Sequence, residues 1–474
     1  MYVGIDVGTS VVKAAAFDED GRTLAVESRP ARTVRGDARV EQDTDEVVSA
    51  AGEVLGALAA RRARFAAPDA VGVTGQGDGV WLVDGRARPV RPAISWMDGR
   101  SAAIVTEWTE GGVAAEVFAR TGNAMFPGCP APLLAWLDRH EPAALDAAAT
   151  AAYCKDVVFQ RLTGVRATDA SDASVPFLDP RTRTYDAASL AACGLSHRAD
   201  LLAPVAEPLP RGGMLAGGPL PAGTRVTAGP FDVPACALGA GVTGTGDGLL
   251  IIGTTLACLA VVDEPALDGE PTGFCFATGR PDRWLRGMPA MVGTAALEWV
   301  LARVGASHRD LDDLLAASPP GARGVRVLPF FSPSGERAPF VEPAARAEIT
   351  GVSLETTTAD LVRATCEGIA YAARHCLAAA GLRGALSVAG GGTRSDRWLQ
   401  LFADVLGRPL RVAAEEAGAR GAVLAGGHGL DAAAWTRPAS VRDPDPARAA
   451  FHDGEHRAYL ARVETARARW RTTS

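Results

Sequence analysis

Short apolar runs and amphipathic stretches alternate along this chain. Tyr2–Asp6 is an apolar run that ends in Gly8, Thr9 and Ser10, and Val11–Phe17 is a second β-branched run closed by Asp18–Gly21. The pattern predicts strand, tight turn, strand, with a third strand at Leu24–Ser28. Asp43 with Glu46 three residues on reads as a helix N-cap and its N3 partner, opening a helix from about Thr44 to Ala63. Ala70–Thr74 is a strand running into the glycine-rich loop Gly75–Gly79. Val80–Val83 follows as a strand, and Asp84-Gly85 turns the chain. Strands alternating with amphipathic helices mark an α/β fold.

Residues 99–149 read as helical and Ala-rich, 167–178 as a polar segment, and 204–234 as Pro- and Gly-rich with short strands. A second pass then begins. Gly248–Ile252 is an apolar run, Gly253-Thr254-Thr255 is a turn, and Leu256–Val262 is another apolar run. This repeats the N-terminal layout half a chain later and suggests two similar domains that face each other. Further on, Thr358–Ala380 predicts one long helix, and Ala385–Ala389 a strand entering Gly390-Gly391-Gly392. Asp396–Leu406 predicts a helix, and residues 447–471 a terminal amphipathic one.

With 474 residues the chain exceeds one core and suits two large domains. A charged fraction of 22% and a net charge of −7 fit a soluble globular protein and disfavour nucleic acid or an anionic membrane as partner. The eight cysteines form no CxxC pair and read as reduced core residues; no His/Cys spacing matches a zinc pattern. The N-terminus lacks the features of a signal peptide, and the longest uncharged apolar run, Gly248–Val262, is too short to span a bilayer. The expected location is the cytoplasm.

Several segments carry candidate chemistry. In Asp6–Ser10 a strand delivers a carboxylate, and a turn exposes backbone N–H groups and two hydroxyls. Such a turn suits nucleotide phosphates through Gly8, Thr9 and Ser10, with Lys13 on the next strand as a further contact and Asp6 holding Mg²⁺. Gly253, Thr254 and Thr255 form the mirrored turn; Ile252 precedes it, so its role is hydrogen bonding rather than metal binding. Phosphoryl transfer to an alcohol needs a base, and Asp232, after Gly229-Pro230-Phe231, is the candidate; it equally fits a helix N-cap. Gln76, Gly77 and Asp78 lie in a loop with glycines at alternate positions, open to sugar hydroxyls. Trp96, Asp98 and Arg100 suit the lining of a polyol pocket, Asp98 also fitting a helix cap. Gly391 and Gly392, before Ser395, leave room for a base or ribose, and Gly418 and Gly421 suit the completion of an adenine slot. Neither a Walker A loop nor a dinucleotide GxGxxG is present, which removes a dehydrogenase.

Together these segments resemble the FGGY family of carbohydrate kinases, in family order over nearly the whole chain. Further markers are Val40–Asp43, Arg91–Arg100, Lys155-Asp156, Thr168–Asp172, Ser334–Pro339, Glu367–Tyr371 and Gly390–Ser395. The resemblance implies two ribonuclease-H-like domains of the actin-like ATPase type flanking a deep cleft. Their expected bounds are 1–242 for the sugar domain and 243–445 for the nucleotide domain, with helix 446–474 packing back on the first. It implies ATP and Mg²⁺, Asp232 as catalytic base and second metal-linked carboxylate beside Asp6, and a small sugar or polyol as acceptor. A homodimer is common in the family. Gly77-Asp78 stands where xylulose kinases typically show Met-His, which points toward an erythritol-kinase-like acceptor, with L-xylulose-type kinases next. The rival readings are a non-catalytic sugar-binding regulator and another actin-like ATPase.

Overall fold

The computed structural model describes residues 1–61 and 67–473. The chain divides into two compact units. Unit 1 comprises residues 1–241, 263–285 and 415–437; unit 2 comprises 242–262, 286–414 and 438–474.

The sheet of unit 1 is built from β1 (Tyr2–Val7), β2 (Val11–Phe17), β3 (Thr23–Pro30), β4 (Ala70–Gly75), β5 (Arg211–Gly213) and β6 (Arg225–Ala228). Its order is β5-β6-β4-β1-β2-β3. β1 pairs antiparallel with β2 and parallel with β4, and β4 pairs parallel with β6. Val3, Ile5 and Val7 alternate into the core, as a period of two requires. Helix α1 (Thr44–Ala60) starts where expected, with the Asp43 carboxylate accepting from the amides of Asp45 and Glu46. Val47, Ala50, Ala51, Val54, Leu55 and Leu58 form its buried stripe. It ends at Ala60, and Ala63, the expected end, lies outside the described residues. Helices α2 (Cys154–Thr163), α3 (Ala170–Ala173) and α4 (Asp232–Gly239) complete the part of this unit that matters for the site.

Unit 2 repeats the plan. β7 (Gly248–Ile252), β8 (Leu256–Val262), β9 (Trp284–Ala290), β10 (Leu386–Ala389), β11 (Leu410–Val412) and β12 (Ser440–Arg442) run in the order β9-β8-β7-β10-β11-β12. Here too a first antiparallel hairpin, β7–β8, is followed by a parallel partner, β10, then a parallel β11 and an antiparallel edge strand. The internal echo seen in the sequence is therefore a duplicated sheet topology. Helices α5 (Leu311–Ala317), α6 (Thr358–Ala380) and α7 (Asp396–Leu406) pack on this sheet.

Two expectations about domain bounds are corrected. Helix α8 (Ala417–Ala425), expected within 243–445, packs in unit 1 rather than in unit 2. Side-chain-free backbone makes room for it: a Cβ at Gly4 of β1 would lie 2.2 Å from the carbonyl oxygen of Ala419, and one at Gly72 of β4 2.4 Å from the backbone of Ala422. Trp435, beyond α8, is buried against Phe17 at 5.3 Å, and its indole N–H donates to the Glu19 carbonyl. The terminal helix α9 (Pro446–Thr473) packs in unit 2 rather than on the first domain. Its stripe of Tyr459, Val463, Ala466 and Trp470 joins the core around α6 and α7, and the Tyr371 hydroxyl meets His452 Nδ1 at 2.7 Å. The stripe is visible in the sequence; which core it enters is a long-range fact.

Candidate active site

The turn between β1 and β2 is closed by the Gly8 amide donating to the Val11 carbonyl at 3.1 Å. Thr9 is the hub of a polar ring: its hydroxyl donates to Gln76 Oε1 at 3.0 Å and accepts from Trp96 Nε1 at 3.0 Å. Gln76 Nε2 donates to Gln42 Oε1 at 2.8 Å, and Gln42 Nε2 returns to the Thr9 carbonyl at 3.0 Å. Thr9, Gln76 and Trp96, named separately in the sequence, thus belong to one network. Ser10 is exposed. Lys13 pairs with Glu416 at 3.3 Å.

Asp6 is the penultimate residue of β1 and Asp232 is the first residue of α4. The N-cap of α4 is Phe231, with no side-chain cap, so the helix-cap reading of Asp232 does not hold. Both carboxylates keep some solvent contact yet are ringed by protein. Burial, then the Glu416 carboxylate, push Asp6 up to about 6, with Lys13 pulling the other way. Burial, then Asp6 and Asp78, push Asp232 up to about 8. The approach to Asp232 is fixed at two points: Thr74 Oγ1 donates to the Pro230 carbonyl at 2.6 Å, and the Phe231 amide donates to Ser171 Oγ at 3.2 Å. The ring of Phe231 lies over Gly77, where a Cβ would sit 2.6 Å from it. Gly77 is thus the seat of Phe231, not open space.

Asp78 is held with φ +55, a left-handed conformation that costs a non-glycine residue about 1 kcal/mol or more. Asp98 is buried and fully engaged: Oδ2 accepts from the Val40 amide at 2.6 Å, and Oδ1 from the Arg100 amide and Nε at 2.9 and 2.8 Å. Arg100 also reaches Glu41 at 2.6 Å and lies over Trp136 at 5.1 Å. Asp98 and Arg100 are therefore tied to Val40 and Glu41, and neither caps a helix; the next N-cap is Ser101. A second ion-pair cluster lies at the start of α2. Lys155, wholly buried, meets Asp156, Asp169 and Asp172 at 2.6, 2.9 and 3.0 Å. Asp169 caps α3 by accepting from Ser171 N at 2.8 Å, which fixes the Ser171 hydroxyl that holds Phe231.

In unit 2 the turn Gly253-Thr254-Thr255 is closed by the Gly253 amide donating to the Thr255 carbonyl at 3.2 Å, and Thr254 is exposed. Gly391 is open, while a Cβ at Gly392 would strike Ile252 at 2.2 Å. Ser395 is spent as a helix cap: its Oγ accepts from Trp398 N at 3.1 Å and donates to Asp312 at 2.5 Å. Gly418 and Gly421 are not an adenine slot. They lie in unit 1, Gly418 against the Asp6 carboxylate and Gly421 against the Ala235 carbonyl of α4.

Residues 1–216 match the N-terminal domain of the FGGY family of carbohydrate kinases, and residues 239–430 match its C-terminal domain. The chain belongs to that family. It is a carbohydrate kinase of the two-domain actin-like ATPase fold, with ATP as phosphoryl donor. An erythritol kinase of Brucella abortus is 36% identical, with 95% of this chain and 93% of that protein aligned. A xylulose kinase of Escherichia coli is 32% identical over 86% of each chain. The solved structure of a xylulose kinase from Rhodospirillum rubrum, 30% identical, matches with a TM-score of 0.89 over 99% of each chain.

Two features of the kinase's site were missed in the sequence. Glu416 sits beside Asp6 at the start of α8, and its only sequence signal is an acidic pair, Glu415-Glu416, ahead of a small-residue run. Phe231 links Asp232 to the Gly75–Gly79 loop, which its position in a Gly-Pro turn does not reveal. The residues suit a divalent cation. Asp6 Oδ1 is buried without a hydrogen-bond partner, and its neighbours Glu416 and Asp232 are acidic. Among the described residues no three acidic, His or Cys groups form a ready-made cage. That matches Mg²⁺, which takes one or two carboxylates and completes its shell with phosphate oxygens and water. Among the described residues no helix is long and apolar enough to cross a membrane.

Proposed function

We propose that this kinase phosphorylates a hydroxyl, primary by preference, of a small neutral polyol in the cytoplasm, an erythritol-like tetritol first and a pentulose such as xylulose second. The observation that carries the reading is the grouping of Asp78, Asp232 and Asp6 in unit 1, close enough that Asp6 and Asp78 both raise the proton affinity of Asp232. A loop acid at Asp78 favours a hydroxyl-rich neutral acceptor and repels an acid sugar. The likeness to an erythritol kinase supports the first choice, and that to xylulose kinases the second.

In the proposed reaction Asp232 takes the proton of the attacking hydroxyl, whose oxygen forms the new bond to the γ-phosphorus of ATP as the bond to ADP breaks. Gln76 and Trp96, tied through Thr9, shape the acceptor side, with Asp98 and Arg100 behind them. Gly8, Thr9, Ser10 and Lys13 in unit 1, and Gly253, Thr254, Thr255, Gly391 and Gly392 in unit 2, supply donors for the nucleotide; Ser395 supports the last of these as a helix cap. Mg²⁺, when held on Asp6, supplies neutralisation of charge on the phosphate oxygens.

A coupled assay over tetritols, pentitols and ketopentoses tests the acceptor; turnover confined to acid sugars would refute the neutral-polyol reading. Asp232→Asn tests the base. Its kcat is expected to fall about 10²–10⁴-fold, with the polyol KM within about threefold. Near-normal turnover in that variant removes Asp232 from the role.

A further inference from the structure

Unit 2 contains a cavity of about 430 Å³ lined by none of the residues assigned above. Four segments each contribute one arginine to its lining: Arg323 from the turn after α5, Arg363 from α6, Arg397 from α7 and Arg448 from α9. Arg363 is built into the wall. It is buried, donates to the Leu315 carbonyl at 2.8 Å and pairs with Glu367 at 3.0 Å. The other three are less enclosed. Arg323 is half-exposed and holds Asp360 at 2.6 Å; Arg448 is half-exposed with one ion pair, to Asp404, at 3.5 Å. Arg397 is exposed and makes no ion pair or hydrogen bond among the described residues.

The three acids that pair with these arginines are shared with other donors. Asp360 also accepts from Ser318 Oγ at 2.6 Å and caps α6 through Thr357. Asp404 accepts from the Asp445 amide and from Gln400 Nε2, both at 2.8 Å. Glu367 accepts from the Gly321 amide at 3.0 Å, and burial raises its proton affinity. Four arginines thus meet three shared carboxylates, of which only Asp404 lines the cavity, and Arg397 has no acid partner among the described residues.

The backbone supplies an independent observation. Gly321, Ala322, Arg323 and Gly324 have φ of +80, +47, +50 and +92, one turn of left-handed chain that includes two consecutive L-residues. Each such L-residue costs about 1–2 kcal/mol, and left-handed residues normally occur singly. The turn is kept by the Gly321–Glu367 bond, by Gly324 N donating to the Gly321 carbonyl at 2.8 Å, and by the full burial of Ala322. Its product is the delivery of Arg323 to the cavity. Backbone strain that survives packing marks places where a side chain must be aimed.

We propose that this cavity is a second ligand site, taking a small organophosphate of sugar-phosphate size. Planar guanidinium forks match phosphate oxygens in pairs, and several of them around one cavity select a dianionic head over a neutral sugar. The wall is polar, so the remainder of the ligand is hydroxylated rather than apolar.

The test is calorimetric titration of the full chain, held in saturating ADP, with D-ribose 5-phosphate, inorganic phosphate and D-ribose as separate probes. The pentose phosphate is expected to bind in the submillimolar range, about tenfold or more tighter than inorganic phosphate, and D-ribose to give no heat. The double variant Arg397→Gln/Arg448→Gln is expected to weaken the pentose phosphate at least about tenfold while polyol turnover is unchanged. Absence of binding up to about 10 mM, or equal affinity in the double variant, overturns the site. Equal binding of inorganic phosphate and the pentose phosphate overturns the organophosphate assignment.

Discussion

In unit 1 the leading strand of the first hairpin carries Asp6 two residues before the turn glycine Gly8; in unit 2 the matching position, two before Gly253, is Ile251. The two hairpins sit at the same place in sheets of the same topology, yet the chemistry differs. Asp6 has a buried oxygen with no hydrogen-bond partner and acidic neighbours. Ile251 is apolar and half-buried, and its neighbour Ile252 is wholly buried and forms the floor under Gly392. A duplicated strand-turn-strand keeps backbone donors in both copies, because the turn fixes them. The last strand residue is buried and apolar in both copies, Val7 and Ile252, and the position before it differs: one copy places the Asp6 carboxylate there, the other an isoleucine.

The largest expected effect that would break this contrast comes from Asp6→Asn. Turnover should fall by about 10²–10³-fold, with the Mg²⁺ concentration for half-maximal rate rising; a rate within about threefold of the parent would place the cation elsewhere. Ile252→Ala should act on the other quantity. Loss of a buried isoleucine costs about 2–4 kcal/mol in denaturant unfolding, with kcat of the folded enzyme within a few-fold. A collapse of turnover at undiminished stability would show that both copies carry chemistry.

The smallest effect sharpens the electrostatics. The folded-state pKa of Asp232, about 8, lies above the ordinary carboxylate value, so its stabilising share is complete at low pH and is lost as pH rises toward 8. Asp232→Asn removes that loss. The variant should gain on the order of 1–2 kcal/mol over the parent at pH 8, after allowance for partial solvent contact, and almost nothing at pH 4. Thermal melts across that range check it; a gain that shrinks with rising pH would contradict the burial argument.

Local signals account for what the sequence made legible. β1, β2, β7, β8, α6 and α7 announce themselves by period, turn residues and caps, and Thr358–Ala380 and Asp396–Leu406 agree with the structure residue for residue. The Asp6, Gln76 and Trp96 motifs were readable because each sits at a strand end or loop of distinctive composition. Asp98 was read as a possible ligand contact because its exposure and its bond to the Val40 amide depend on a residue 58 positions away. Glu416 and the return of α8 to unit 1 were illegible for the same reason. The grooves at Gly4 and Gly72 show what fits them only once the strands are paired.

That return has a practical consequence. A fragment stopped at residue 241 would lack its own lid: the furrows above β1 and β4 would face water, Phe17 would lose Trp435, and Asp6 would lose Glu416. Chimeras with relatives must therefore exchange 415–437 together with the amino-terminal piece. A cut made at the midpoint of the chain separates strands from the helix they were shaped to receive.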